Sequence, residues 1–111
     1  MAKRKLNVYL AGPMRGYKDF NFPAFRRYAK RLRKDGFEVF NPAEKGVEAE
    51  AEKNPDLQNS LAFRRKVFQM DTEYICHKAD IIAMMPGWEM SAGARAEHAL
   101  SLAIGIKVMY L

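Results

Sequence analysis

Thiol and imidazole are scarce in this chain, which has one cysteine, Cys76, and two histidines, His77 and His98. A single thiol excludes an internal disulfide framework and a multi-cysteine metal site. Neither histidine has a metal-ligand partner at useful spacing, so both are read as non-metal residues. No apolar run reaches the ~18–20 residues of a membrane span. The N-terminus carries a basic leader, Lys3-Arg4-Lys5, in place of the apolar core of a signal peptide. The expectation is a cytoplasmic protein with no cofactor and no membrane partner. Internal repeats are absent, and no turn fits a Walker loop or a dinucleotide fingerprint.

The 111 residues, 49% of them hydrophobic, suffice for one core, so residues 1–111 are read as one domain. A net charge of +6 permits an anionic ligand without demanding one. Arg26, Arg27, Lys30, Arg31, Arg33 and Lys34 crowd one segment. A solvated helix face is the preferred reading of that cluster, and nucleic acid is not an expected partner.

In chain order, residues 6–11 (LNVYLA) read as a buried strand that ends at Gly12-Pro13. Pro23 suits the start of a helix whose apolar positions Phe25, Tyr28, Ala29 and Leu32 recur before Gly36. Residues 37–40 (FEVF) form a second short strand, stopped by Asn41-Pro42. Residues 43–59 are polar and read as a mobile loop of the kind that covers active sites. A second helix opens near Asn59 or Ser60, with Phe63, Val67, Met70 and Tyr74 on its apolar stripe and Asp71 beside it. Residues 80–85 form a strand, a third helix follows Gly93, and residues 107–111 form a last strand. The alternation predicts an α/β fold: a short four-stranded parallel sheet with helices on both faces, a three-layer sandwich. Ligands of such sheets bind outside the C-terminal strand ends, where residues 12–15, 41–42 and 86–93 converge.

Several residues there admit both a structural and a chemical reading. Glu97 is either an exposed helix glutamate or, because Ala92, Ala94, Ala96, Ala99 and Ala103 make its helix small and tightly packing, a carboxylate turned into the crevice. Tyr9 is either a core aromatic or a hydroxyl that orients a catalytic carboxylate. Asp71 is either solvated or the second carboxylate that glycosyl transfer through a covalent intermediate requires. Gly12, Arg15, Gly16, Ser91 and Gly93 are either turn residues or a phosphate cradle of backbone N–H groups, a hydroxyl and a guanidinium. Trp88 either packs or offers a platform to a nucleobase. Asp80 is read as a structural cap. The small-residue helix also presents a flat apolar face suited to a homodimer or higher homo-oligomer.

The run YLAGPMRG from Tyr9, together with Asp71 and the segment PGWEMSAGARAE ending at Glu97, resembles the nucleoside 2-deoxyribosyltransferase-like superfamily. The likeness is greatest to the small branch similar to 2'-deoxynucleoside 5'-phosphate N-hydrolases. The resemblance covers nearly the whole chain and implies a flavodoxin-like domain that cleaves or exchanges the N-glycosidic bond of a nucleotide or nucleoside. It implies that Glu97 attacks the anomeric carbon, that Tyr9 orients it, and that Asp71 assists proton transfer to the departing base. Substrate-binding positions implied in the same way are Gly12, Met14, Arg15, Gly16, Trp88, Ser91 and Gly93. Ser91 and Arg15 match the monophosphate hydrolases, whereas transferases carry an aspartate at the serine position. Pro13 departs from the hydrolase pattern, which has a serine there. The chain also stops at Leu111 without the segment that transferases use to complete a neighbouring subunit's site, a difference that favours hydrolysis.

Overall fold

The strand Asn7–Ala11 (β1) divides the core in two, because successive strand residues point to opposite faces of the sheet. Val8 and Leu10 enter one apolar cluster with Phe22, Phe25, Ala29 and Leu32. Tyr9 and Ala11 enter the other, with Ile75, Ile82, Met84 and Ala94. A computed structural model of the chain describes residues 4–44, 50–51 and 53–111. After β1 come the helix Phe22–Lys34 (α1), the strand Glu38–Phe40 (β2) and the helix Leu61–His77 (α2). The strand Ile81–Met84 (β3), the helix Ala92–Ile104 (α3) and the strand Lys107–Tyr110 (β4) follow. The strands pair in parallel in the order β2-β1-β3-β4. Helix α1 covers one face, and α2 and α3 contribute to the other. This is the expected flavodoxin-like α/β arrangement.

Local chemistry explains the element ends. Pro23 sits in the first turn of α1, where its missing N–H costs nothing, and Arg31, Arg33 and Lys34 occupy the last turn, where cations complement the helix dipole. Phe22, Phe25, Ala29 and Leu32 are the buried stripe of that helix. Ser60 caps α2 by accepting the Phe63 N–H at 3.2 Å. Helix α3 closes on Gly105, whose φ of 85° suits a residue without Cβ and whose N–H bonds the Ser101 carbonyl. Asp80 caps structure as expected: it accepts the Asn7 N–H at 2.8 Å and pairs with Arg4 at 3.1 Å.

The structure revises the reading of α2. Its buried residues are Asp71 and Ile75, while Phe63, Val67 and Met70 are only half-buried. The reason is that the first half of the helix walls a cavity and does not cover the sheet, so its apolar side chains keep one flank open. The segment 43–59 holds a 3₁₀ turn at Pro42–Glu44 and another at Pro55–Asn59. Between them Asn54 N–H bonds the Glu50 carbonyl at 2.9 Å. The expectation of a loop over residues 45–49 and 52 lies outside the described residues.

The chain runs from β1 outward to β2, then returns past β1 to lay down β3 and β4. The direction of strand addition therefore reverses between β1 and β3. The gap outside their C-terminal ends is the place this topology offers a ligand.

Candidate active site

Strand β1 runs on into Gly12, which lies so close to the residue after β3 that a Cβ there would stand 2.8 Å from the Met85 Cβ. Only glycine allows that approach. The two strand ends floor a cavity of about 610 Å³, within the range of small-molecule sites. Tyr9, Gly12, Met14, Arg15, Asp71, Ser91, Gly93 and Glu97 all line it.

Tyr9 reaches the cavity because its ring is clamped. Phe40 stacks on it with centroids 5.4 Å apart, and Tyr74 packs on Phe40 at 4.4 Å and on Tyr9 at 6.3 Å. The Tyr9 hydroxyl then donates to Glu97 Oε2 at 2.6 Å, in the range of charge-assisted bonds. Glu97 projects from the second turn of α3 and is only 7% exposed. Burial first, and the nearby Asp71 carboxylate second, push its carboxyl up to about 8 against the lowering effect of the Tyr9 hydrogen bond. Asp71, itself 6% exposed, comes from α2. Two carboxyl groups from different helices and a tyrosine from the central strand thus share one buried floor.

The rim is polar. Ser91 caps α3 by accepting the Ala94 N–H on Oγ at 3.2 Å, which leaves its own hydroxyl proton for another acceptor. Ala92, Gly93 and Ala94 of the first turn of α3 line the cavity, so the positive end of the helix favours an anion there. The Arg15 Nη2 donates to the Gln58 carbonyl at 2.9 Å, tying the loop after β1 to the turn before α2.

Two of the residues singled out from the sequence stand elsewhere. Trp88 is not part of the cavity wall: it packs on His98 at 4.3 Å and approaches Tyr110 at 6.1 Å. Gly16, with φ of 86°, is exposed and is also not a wall residue. Other wall residues are not expected at the site from the sequence, which places Val67 only on the apolar stripe of α2. Arg64, Val67 and Phe68 join Asp71 at i, i+3, i+4 and i+7 on one side of α2. That spacing was the signal that could have found them. Tyr17, Phe20 and Met90 are further wall residues. Phe20 belongs to a run in which Asp19, Phe20 and Asn21 take φ of 53°, 53° and 60°. Among the described residues, no three His, Cys, Asp or Glu side chains stand together as a metal site. No helix among them is long and apolar enough to cross a membrane.

The fold and this cavity define a small flavodoxin-like domain with a buried pair of carboxyl groups and a tyrosine at its topological switch point. Within that class, the chain belongs to the family described as a domain of unknown function (DUF4406), whose model matches residues 6–110. No curated protein matches the chain.

Proposed function

We propose that the protein is an N-glycosidase that cleaves the base–sugar bond of a nucleoside 5'-monophosphate, a deoxynucleotide in the first instance, through a glutamyl-glycosyl intermediate. The observation that carries the reading is the 2.6 Å bond from the Tyr9 hydroxyl to Glu97 on a cavity floor shared with Asp71. A carboxyl held near 8 is mostly protonated at neutral pH and cannot attack in that form. The neighbouring Asp71 resolves this. Moving one proton from Glu97 to Asp71 creates a nucleophile and a general acid in a single step.

Glu97 then attacks the anomeric carbon as the C–N bond breaks, and Asp71 gives its proton to the departing base. Water next attacks the anomeric carbon, Asp71 takes the proton from that water, and the bond from that carbon to Glu97 breaks so that Glu97 leaves as carboxylate. The proton returns to Glu97 to complete the cycle. Tyr9 holds the attacking carboxylate in position throughout. The 5'-phosphate is assigned to the start of α3, where Ser91 and Gly93 line the cavity that Arg15 also lines. We place the activity in the cytoplasm. We further propose a homodimer or higher homo-oligomer, because Ala92, Ala96, Ala99 and Ala103 form an exposed apolar face on α3.

The test is a chromatographic assay of free base released from a panel of nucleoside 5'-monophosphates and the matching nucleosides. Release from monophosphates with no added acceptor supports the proposal. Release only when a second base is supplied would move the reading to base exchange. Binding of monophosphates without any product would make the domain a nucleotide sensor.

Two variants probe the parts separately. Tyr9→Phe removes the hydrogen bond that Glu97 accepts once ionised for attack, a bond to a charged group worth ~1.5–3 kcal/mol. Base release is expected to fall about 10- to 100-fold on that account. The alkaline limb of its pH profile should also move upward, because Tyr9 lowers the Glu97 pKa. Ser91→Asp keeps a good helix cap but sets a negative charge against the phosphate. Its kcat/KM for monophosphates should drop at least about tenfold, the effect of ~1.4 kcal/mol of repulsion, while nucleosides are affected far less. Equal losses for both substrates would remove the phosphate from the proposal.

A further inference from the structure

We propose that the outer face of α1 is a docking stripe for the phosphodiester backbone of a nucleic acid, independent of the cavity. Helix α1 carries six cations and no carboxylate between Phe22 and Lys34. Two of the six are engaged locally. Arg33 pairs with Glu44 at 2.8 Å and donates to the Val39 carbonyl at 3.0 Å, and Arg26 lies over the Phe22 ring at 5.8 Å. The other four, Arg27, Lys30, Arg31 and Lys34, are exposed, and among the described residues no carboxylate pairs with them.

Their placement is ordered. Positions 27, 30, 31 and 34 fall at i, i+3, i+4 and i+7, which at 3.6 residues per turn confines them to an arc of about 100°. That arc lies opposite the buried stripe of Phe22, Phe25, Ala29 and Leu32. The four charges extend ~10 Å along the helix axis at 1.5 Å per residue. Phe37 N–H bonds the Leu32 carbonyl and Glu38 N–H bonds the Leu6 carbonyl, which brings the end of α1 beside the start of β1, where Lys5 is exposed. Asp35 and the exposed Glu38 are acidic and stand in sequence between Lys34 and this link, so the stripe proper is the four cations of α1.

The shape and chemistry of the face select the partner. A row of cations on a convex helix has no concavity for a small anion, but it matches a polymer with a charge at every repeat. Two arginines add planar donors suited to phosphate oxygens. A membrane surface fits less well, because helices that lie in a bilayer bury an apolar face, and the apolar face of α1 is already turned into the core.

The experiment is fluorescence anisotropy with labelled mixed-sequence 20-mers of duplex DNA, single-stranded DNA and duplex RNA, at 50 to 200 mM salt. Four phosphate contacts predict an affinity that falls roughly 50- to 150-fold over that range, the smaller figure for single strands. The variant R27Q/K30Q/R31Q/K34Q should lose most of this binding and flatten the salt dependence, with its circular dichroism unchanged. The milder K30Q/K34Q should lose about half of the salt slope and serves if the fourfold variant misfolds. A charge-matched control, R65Q/K66Q/K78Q/K107Q, should bind nearly as the parent does. Equal loss in the stripe and control variants would show an effect of net charge alone and overturn the proposal. So would absence of binding to all three nucleic acids. Stripe-dependent binding to vesicles containing phosphatidylserine that is tighter than binding to any nucleic acid would overturn it in favour of a membrane.

Discussion

Replacing Glu97 by glutamine is expected to reduce base release by at least about a thousandfold, the scale on which loss of a covalent nucleophile separates from loss of a binding contact. The substitution is conservative in shape, and the amide oxygen can still accept the Tyr9 hydroxyl. Fold and monophosphate binding should therefore survive. What disappears is the group that bonds to the anomeric carbon. The measurement is single-turnover base release together with equilibrium binding of the monophosphate. A variant that binds normally and releases nothing is the expected result, whereas a loss below tenfold would place the nucleophile elsewhere. In the parent protein, base release should decline as pH rises through about 8, because the carboxyl pair then loses the proton it shares. Asp71→Asn should be less damaging for substrates whose leaving base needs little protonation. That graded response would separate a general acid from a nucleophile.

The architecture was legible because short strands and amphipathic helices announce themselves by period. Val8 and Leu10 against Tyr9 gave the two faces of β1, and both clusters follow that split. The strand ends gave the location of the cavity, since Gly12, Met14, Arg15, Ser91 and Gly93 are brought to one wall by parallel topology alone. The deep burial of Glu97 was harder to see, because it depends on the packing of α3 against α2 and β1. Trp88 shows the limit of local reading. Met90 and Ser91, two and three residues further on, line the cavity, yet a 3₁₀ turn from Trp88–Met90 directs the indole to His98 and Tyr110. Arg64 was missed for the opposite reason. It sits in an ordinary basic run, Arg64-Arg65-Lys66, and only the helix register that faces Asp71 inward distinguishes it. The clamp of Phe40 and Tyr74 on Tyr9 joins residues distant in sequence, and no spacing rule reaches that far.

The same Glu97→Gln change is expected to make the protein less sensitive to alkali. The sign follows from proton linkage. Glu97 is raised from 4.5 in the open chain to about 8 in the fold, so between those values the folded state binds more protons than the unfolded one. Stability from this group is fully present below pH 4.5 and is lost as pH rises through about 8. Each pH unit in that window costs at most about 1.4 kcal/mol. From pH 6 to pH 9 the parent should lose roughly 2–3 kcal/mol that the glutamine variant, having no proton to release, keeps. Urea denaturation of both proteins at pH 6, 7, 8 and 9 measures the difference directly. Any fixed effect of the amide, such as an unmet hydrogen bond, shifts all four points equally and drops out. Asp71→Asn should remove only part of the slope, since burial is the larger cause of the raised pKa and the Asp71 charge the smaller. A stability difference that stays constant across the series would mean that Glu97 is ionised in the folded protein throughout. The Tyr9 bond would then outweigh burial, and the nucleophile would stand ready without any proton transfer to Asp71.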